Sequence, residues 1–406
     1  MSVMIKTIVA GIAGMMGTVR ARCGGQAHLY FKDVPNVEFT YAVCKDESEF
    51  EVARRRGFIP TTDLDEALAS DWDLLDVCLP NALHFSVAKK AIEAASKTPE
   101  KKRLIVVEKP VTSGNAASKE ARILRDMAKK AGNVILHINH VYRHVGAVAK
   151  ARQMILSGEY GEVREIHAEY RQGWGCCPHC CEWSWRFEAP HGGTLGDLGS
   201  HLVDLSVYAT GLKAKSVIGL AATHVPMRFV GEQTKATSRC PVCGRLFAKN
   251  EGTLRDKEYV NVEDACNVML QYDNGCIGNM TCTRNEPGAG NRIGFNISTE
   301  YANFKFSYDE SDFLVFTDLR NGLYSGAVKM LCDQPNMPYY NFATGHGNSY
   351  EKYYTNFQYE NLRALTGLEP VSPAATADDA LNTELVLDAI RKSWETRAWV
   401  DVEYGD

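Results

Sequence analysis

The sequence predicts an α/β protein: a doubly wound parallel sheet followed by a second α/β domain with a mostly antiparallel sheet. Three observations lead there. From Lys6 to about residue 140, short apolar strands alternate with amphipathic helices, the texture of successive β-α-β units. After residue 150 the strands alternate apolar and polar residues with period two. At 406 residues the chain exceeds what one hydrophobic core serves, and 45% apolar residues suffice for two. The expected division is residues 1–145 and 146–406.

In the first part the expected strands are Thr7–Ala10, Glu38–Val43, Leu74–Cys78, Leu104–Val107 and Val134–Ile138, with helices such as Phe85–Ala95 and Ala117–Ala131 between them. The second part shows period-two strands such as Val163–Arg171, Ala265–Tyr272, Cys276–Arg284 and Arg292–Ser298, with Asp273-Asn274-Gly275 as a hairpin turn. Helical periodicity returns over Tyr350–Leu365 and Thr376–Thr396, around Pro370 and Pro373.

A net charge of -5, with acids and bases interspersed, offers no basic stripe for a phosphate backbone, so nucleic acid is not an expected partner. Arg54-Arg55-Arg56 and Lys101-Lys102-Arg103 read as solvated faces. The apolar run Thr7–Gly17 imitates a signal peptide, yet glycines break it and no A-x-A cleavage site follows. No apolar run reaches the roughly 18 residues of a membrane helix. The expectation is a cytoplasmic protein, with no membrane partner, whose thirteen cysteines stay reduced. An odd count, with four packed into Cys176-Cys177-Pro178-His179-Cys180-Cys181, suits metal ligation better than a disulfide framework.

Gly11-x-x-Gly14-x-x-Gly17 follows the first strand, its second and third glycines one place later than in G-x-G-x-x-G. Glycines there permit a tight turn and close backbone approach to a pyrophosphate at a helix N-terminus. Gly11, Ala13, Gly14, Met15, Met16 and Gly17 are therefore expected at a dinucleotide. Lys45 and Asp46 end the second strand, where an acid would bind the 2′-hydroxyl of NAD and a cation the 2′-phosphate of NADP. Both cofactors stay open on that pair. Leu79, Pro80, Asn81 and His84, after the third expected strand, could border the nicotinamide ribose or equally cap a helix.

Glu108-Lys109-Pro110 leaves the carboxyl end of Leu104-Ile105-Val106-Val107, where ligands bind such sheets. Pro110 keeps Lys109 extended, so its ammonium could reach across the cleft and stabilise a developing alkoxide. Farther on, Gly192-Gly193 opens a helical pattern in which Leu195, Leu198, Leu202 and Leu205 form an apolar stripe. Asp197, His201, Asp204 and Tyr208 form a second stripe, expected to lie outside the core. His201 has a carboxylate one turn away to orient it and is the expected general acid/base. Tyr142, Arg143, Trp174, Trp185, Arg186 and His346 are of the types that bind sugars by stacking and forked hydrogen bonds.

Cys177-Pro178-His179-Cys180 and Cys240-Pro241-Val242-Cys243-Gly244 form two Cys-Pro-x-Cys knuckles, which suit a closed four-thiolate site, structural rather than catalytic. Zinc is the expected metal and iron in a rubredoxin-like site the second choice, with Cys176, Cys181 and His179 as substitute ligands. The metal would tie segment 223–260 to the loop before the catalytic helix.

The three motifs at 11–17, 108–110 and Gly-Asp-Leu-Gly-Ser-His at 196–201, in this order, resemble the glucose-fructose oxidoreductase, inositol dehydrogenase and rhizopine catabolism family, Gfo/Idh/MocA. Gly158-Glu159-Tyr160-Gly161, Val262-Glu263-Asp264-Ala265 and Asn274-Gly275 extend the resemblance over nearly the whole chain. It implies an N-terminal Rossmann domain and a C-terminal domain with an open antiparallel sheet that often builds homo-oligomers, dimers or tetramers. It also implies NAD(P)-dependent oxidation or reduction of a sugar or cyclitol, with Lys109, Asp197 and His201 as catalytic trio and Glu108 beside Lys109 at the cofactor. Lys45 departs from the acidic residue common there, and the cysteine knuckles are an insertion.

The expected reaction is hydride transfer at a secondary hydroxyl of a sugar, glycoside or cyclitol, with C3 oxidation to a 3-keto sugar foremost. Redox-neutral glycoside cleavage through transient C3 oxidation is the second reading. A non-catalytic nucleotide sensor is the third, and the intact Lys109, Asp197 and His201 set argues against it.

Overall fold

The computed structural model describes all residues except 1–3, 115, 180, 182, 230–237, 241, 248–256, 342, 346–349 and 406. The first six strands are β1 (Met4–Ala10), β2 (Asn36–Val43), β3 (Ile59–Thr61), β4 (Leu74–Val77), β5 (Arg103–Val107) and β6 (Val134–Ile138). Then come β7 (Val163–Arg171), β8 (Ala214–Ala222) and four short strands, β9 (Met227–Phe229), β10 (Ser238–Arg239), β11 (Leu246–Phe247) and β12 (Lys257–Tyr259). Six longer strands follow: β13 (Ala265–Tyr272), β14 (Ile277–Thr283), β15 (Arg292–Thr299), β16 (Ala302–Ser307), β17 (Phe313–Asp318) and β18 (Val328–Leu331). Two-residue strands β19 (Ala375–Thr376) and β20 (Val400–Asp401) close the series.

The first sheet runs β19-β6-β5-β4-β1-β2-β3, parallel except for β19. Its strand order reverses beside β1, which opens a crevice beyond the carboxyl ends of β1 and β4. β4 and β5 are buried at every position because helices cover both faces. Helices Asn81–Ala95 and Ala117–Ala131 cover one face through Ala88, Ala91, Ile92 and Leu124. The other face is covered from the far end of the chain: Phe357 and Leu362 of helix Tyr350–Thr366 pack on Leu74, Leu104 and Val106. Fully burying a side chain such as Phe357 contributes roughly 2–3 kcal/mol. β19 and this helix thus serve the first sheet although the sequence places them in the second half.

The second sheet runs β18-β17-β16-β15-β7-β14-β13-β8-β20, antiparallel except for the β7–β14 pair. Alternation decides its faces. In β13, Cys266, Val268, Leu270 and Tyr272 point into the core while Asn267, Met269 and Gln271 face solvent. Helices Gly146–Leu156, Ser200–Thr210 and Ala377–Thr396 bury the inner face. Helix Ala377–Thr396 starts at a capping box between Thr376 and Asp379 and touches both β8 and helix Ala117–Ala131, joining the two layers. Among the described residues no helix is long and apolar enough to cross a membrane.

Candidate active site

β1 ends in the glycine turn, and the backbone there explains each glycine. Gly11 has φ +86°, and a Cβ on it would lie 2.4 Å from the Cys78 carbonyl oxygen. A Cβ on Gly17 would lie 2.2 Å from the Gly11 oxygen, so the third glycine lets the helix press on the turn. Helix Met15–Gly24 begins just after Gly14, with no side chain capping it. Its first N–H groups are left for a ligand, as a pyrophosphate site requires. Ala13 and Gly14 lead into that helix, and Met15 and Met16 line the large cavity above it.

That cavity, about 920 Å³, is lined among others by Met15, Met16, Leu79, Asn81, Glu108 and Lys109. Glu108 accepts a hydrogen bond from Asn139, and burial pushes its pKa up to about 7. Pro80 precedes helix Asn81–Ala95 at its N-cap position, while Leu79 and Asn81 face the cavity. His84 departs from expectation. It is fully buried, with Nδ1 2.7 Å from the Pro110 carbonyl and Nε2 2.8 Å from the Leu79 carbonyl. It pins two turns together and faces no ligand. At the adenosine side, Lys45 and Asp46 are both exposed, and Asp46 accepts from the Ser48 backbone as the N-cap of a short helix.

The second half delivers Asp197 and His201. Gly193 has φ +101° and no room for a Cβ beside Glu263, whose carboxylate accepts from the Leu195 N–H at 2.7 Å. The helical run that follows begins as a π turn over Leu195–Gly199 and becomes α-helical at Ser200. Such turns recur at functional sites because the wider loop re-aims side chains. Here the Asp197 carboxylate turns to two cations: Lys109 Nζ donates to Oδ1 at 2.7 Å, and Arg284 Nη2 donates to Oδ2 at 2.8 Å. Burial would raise the Asp197 pKa, but Lys109 and Arg284 override it and hold the carboxyl well below its usual range.

The expected Asp197–His201 bond is therefore replaced by the two cationic contacts. His201 instead sits in a box of rings, with centroids 5.0 Å from Tyr142, 5.5 Å from His140 and 5.8 Å from Tyr170. Its Nδ1 is buried without a partner among the described residues, while the residue lines the cavity. Burial, with Lys109 adding repulsion, pushes its pKa well below the usual value, so the ring is neutral near pH 7. Of the polar stripe expected outside the core, His201, Asp204 and Tyr208 are buried and Asp197 is half-buried. Asp204 pairs with Arg143 at 2.5 Å, and Tyr208 packs under the Arg143 guanidinium. Arg143 is thus committed to an internal ion pair rather than facing the cavity.

Tyr142, Trp174, Trp185 and Arg186 line the same cavity. His346 and Cys180 lie outside the described residues. A hydrogen-bonded array backs the wall. Tyr170 donates to Asn291 Oδ1 at 2.7 Å, Asn291 donates to the Tyr142 hydroxyl at 2.8 Å, and the two tyrosine oxygens are 2.8 Å apart. Gln172 and Trp174 extend it, Gln172 donating to Asn291 at 2.8 Å and Trp174 to Gln172 at 2.6 Å.

Sequence reasoning missed Arg284, Tyr170, Gln172 and Asn291. Period two carried the signal for two of them: Tyr170 continues the inward set Ile166 and Ala168, and Arg284 continues Met280 and Cys282. An arginine on a core-facing position needs an anion, and Asp197 is that anion.

Three cysteines of the two knuckles converge, Cys180 lying outside the described residues. The sulfur atoms of Cys177, Cys240 and Cys243 lie within 4.8 Å of one another, with Cys177 and Cys240 3.8 Å apart. The 240–244 knuckle closes as a tight turn, the Gly244 N–H donating to the Cys240 carbonyl at 2.9 Å with Gly244 at φ +72°. Three sulfur ligands at that spacing fit a tetrahedral metal.

Residues 8–140 match the profile of the oxidoreductase family with an NAD-binding Rossmann fold, and residues 148–300 match the GFO/IDH/MocA C-terminal domain. The chain is 27% identical over 400 residues to levoglucosan dehydrogenase of Pseudarthrobacter phenanthrenivorans, covering 96% of each. Over 156 residues it is 29% identical to D-glucoside 3-dehydrogenase of Escherichia coli, covering 37% of this chain and 39% of that one. Among solved structures, an oxidoreductase domain protein from Kribbella flavida superposes with a TM-score of 0.85 at 26% identity, covering 98% of this chain and 99% of that one. Levoglucosan dehydrogenase in complex with NADH and L-sorbose gives 0.85 at 25% identity and the same coverage.

Proposed function

The chain belongs to the GFO/IDH/MocA oxidoreductase family, and from that premise we propose that it moves a hydride between NAD(P) and a secondary hydroxyl of a sugar or glycoside, with C3 and a 3-keto product favoured. The carrying observation is the Lys109–Asp197 ion pair at 2.7 Å in a cavity lined both by Met15 and Met16, which follow the glycine turn, and by Tyr142, Trp174 and Trp185. Relatives named for levoglucosan and D-glucoside oxidation support the substrate class.

The nicotinamide, when bound, supplies the hydride acceptor or donor. The chain supplies the rest. Gly11, Ala13, Gly14, Met15, Met16 and Gly17 would hold the pyrophosphate, and Leu79, Asn81 and Glu108 would border the nicotinamide side. Neutral His201 takes the hydroxyl proton on Nε2, since its Nδ1 is buried. Lys109 donates to the same oxygen and stabilises the charge that develops there. Asp197 positions the ammonium of Lys109. The Tyr142–Tyr170–Asn291 array and Trp174, Trp185 and Arg186 present stacking faces and fixed polar atoms to the ring of the sugar.

The same reading assigns a structural zinc to Cys177, Cys240 and Cys243, with Cys180 as fourth thiolate and iron as the alternative metal. A reducing cytoplasm keeps those thiols available. Homo-oligomerisation through the uncovered face of the second sheet is supported by the exposed Leu220, Met269 and Ile277 on neighbouring strands.

The test is a spectrophotometric screen of NAD and NADP against levoglucosan, alkyl glucosides and inositols, with product analysis. Reduced cofactor with a keto sugar is the expected result. No reduced cofactor from any of them overturns the assignment, and aglycone released without net NADH supports redox-neutral cleavage instead.

A further inference from the structure

Two segments that bear the thiolates also bear the sugar-facing wall. Trp174 and Cys181 flank Cys177 and line the cavity, and Arg245, two residues after Cys243, lines it too. Arg245 Nη1 donates to the Trp174 carbonyl at 2.9 Å, joining the segments directly. Trp174 is also held by its bond to Gln172, whereas the hairpin side has little regular structure. The 174–186 loop has one short helical turn, Trp185–Phe187, and the Arg245 hairpin is built from the two-residue strands β10 and β11. The buried apolar cluster at the junction consists of Cys177 and Cys240 alone among the described residues. Trp174 packs on the buried cluster of Phe187, Cys181 and Val260, so apolar packing holds its end of the wall, while the Cys177–Cys240 contact and the Arg245–Trp174 bond tie the hairpin to it.

We propose that occupancy of the thiolate site sets the affinity of the enzyme for its sugar, because the metal fixes the Arg245 hairpin against Trp174 in the wall of the substrate cavity while leaving the dinucleotide end untouched. This rests on assigning a metal to Cys177, Cys240 and Cys243 and a sugar to the cavity.

The experiment uses the full chain as isolated, with metal content measured by plasma mass spectrometry and levoglucosan as the sugar probe. Binding of NADH is followed by fluorescence, and binding of levoglucosan to the NADH-loaded protein by calorimetry. Removing the metal with a chelator is expected to weaken levoglucosan about tenfold or more, equivalent to about 1.4 kcal/mol, to leave NADH affinity within about twofold, and to be reversed by added zinc. Unchanged levoglucosan affinity in metal-free protein overturns the proposal while leaving the metal site intact. Protein isolated without zinc or iron overturns the metal assignment, and as-isolated protein that does not bind levoglucosan overturns the sugar reading beneath it. Arg245→Ala guards against misfolding: it is expected to keep its metal and its NADH affinity yet lose levoglucosan affinity, and full affinity in that variant counts against the proposal.

Discussion

Lys109 and Asp197, 88 residues apart in the chain, meet in an ion pair of 2.7 Å between the carboxyl end of β5 and the π turn that precedes helix Ser200–Thr210. The contact joins the parallel sheet to the second layer at the edge of the cavity. It also divides the labour of the site: the carboxylate orients the ammonium, and the imidazole of His201 stands apart in its box of rings.

His201→Ala is expected to lower turnover by roughly 10²–10⁴ while leaving NADH affinity unchanged. Steady-state kinetics together with a fluorescence titration check it. Turnover equal to wild type would remove His201 from its role.

Arg284→Met takes away the fully buried partner of Asp197 and the donor to the Gly193 and Arg186 carbonyls. Breaking a buried charge pair costs about 3 kcal/mol or more, so denaturant melts should shift markedly and turnover should fall with Lys109 less well held. A melt superimposable on wild type would contradict the arrangement.

Stability should peak near pH 6–7 by linkage. Burial lowers the pKa of His84, His144 and His201 and brings His137 and His140 to about 4, so below about 6.5 the unfolded chain binds more protons and acid destabilises the fold. Burial raises Glu108 and Glu360 to about 7 and Glu384 to about 8. Their folded forms hold protons that the unfolded chain has lost, so stability falls as pH rises toward those values. Thermal melts across pH 4 to 9 read both limbs, and a monotonic rise through pH 8 would show the glutamates do not titrate this way.

Lys45 stands exposed after β2, with Asp46 already engaged by Ser48. Lys45→Asp should shift preference from NADP toward NAD by roughly tenfold or more, the scale of one charge-assisted hydrogen bond. The ratio of kcat/KM for the two cofactors measures it, and an unchanged ratio would move the ribose contact elsewhere.

Removing the Tyr170 hydroxyl should loosen the wall without touching the cofactor end. In Tyr170→Phe, Asn291 and Tyr142 lose a shared partner, so KM for the sugar should rise severalfold, as for one lost hydrogen bond. An equal change in KM for the dinucleotide would argue against that separation.

What the sequence determined by itself were the features that depend on neighbours along the chain. Strand and helix periods, the glycine turn, the Glu-Lys-Pro turn and the 240–244 cysteine turn are local patterns, and each sits where its spacing put it, because φ/ψ freedom and face alternation act over a few residues. The tertiary structure decided what depends on long-range pairing. The π turn redirected Asp197 from His201 to Lys109 and Arg284, burial turned Arg143 and His84 inward, and residues 350–366 and 375–376 returned to the first sheet. A buried charge takes the nearest opposite charge in space, and spatial neighbours 80 or more residues apart leave no trace in local spacing.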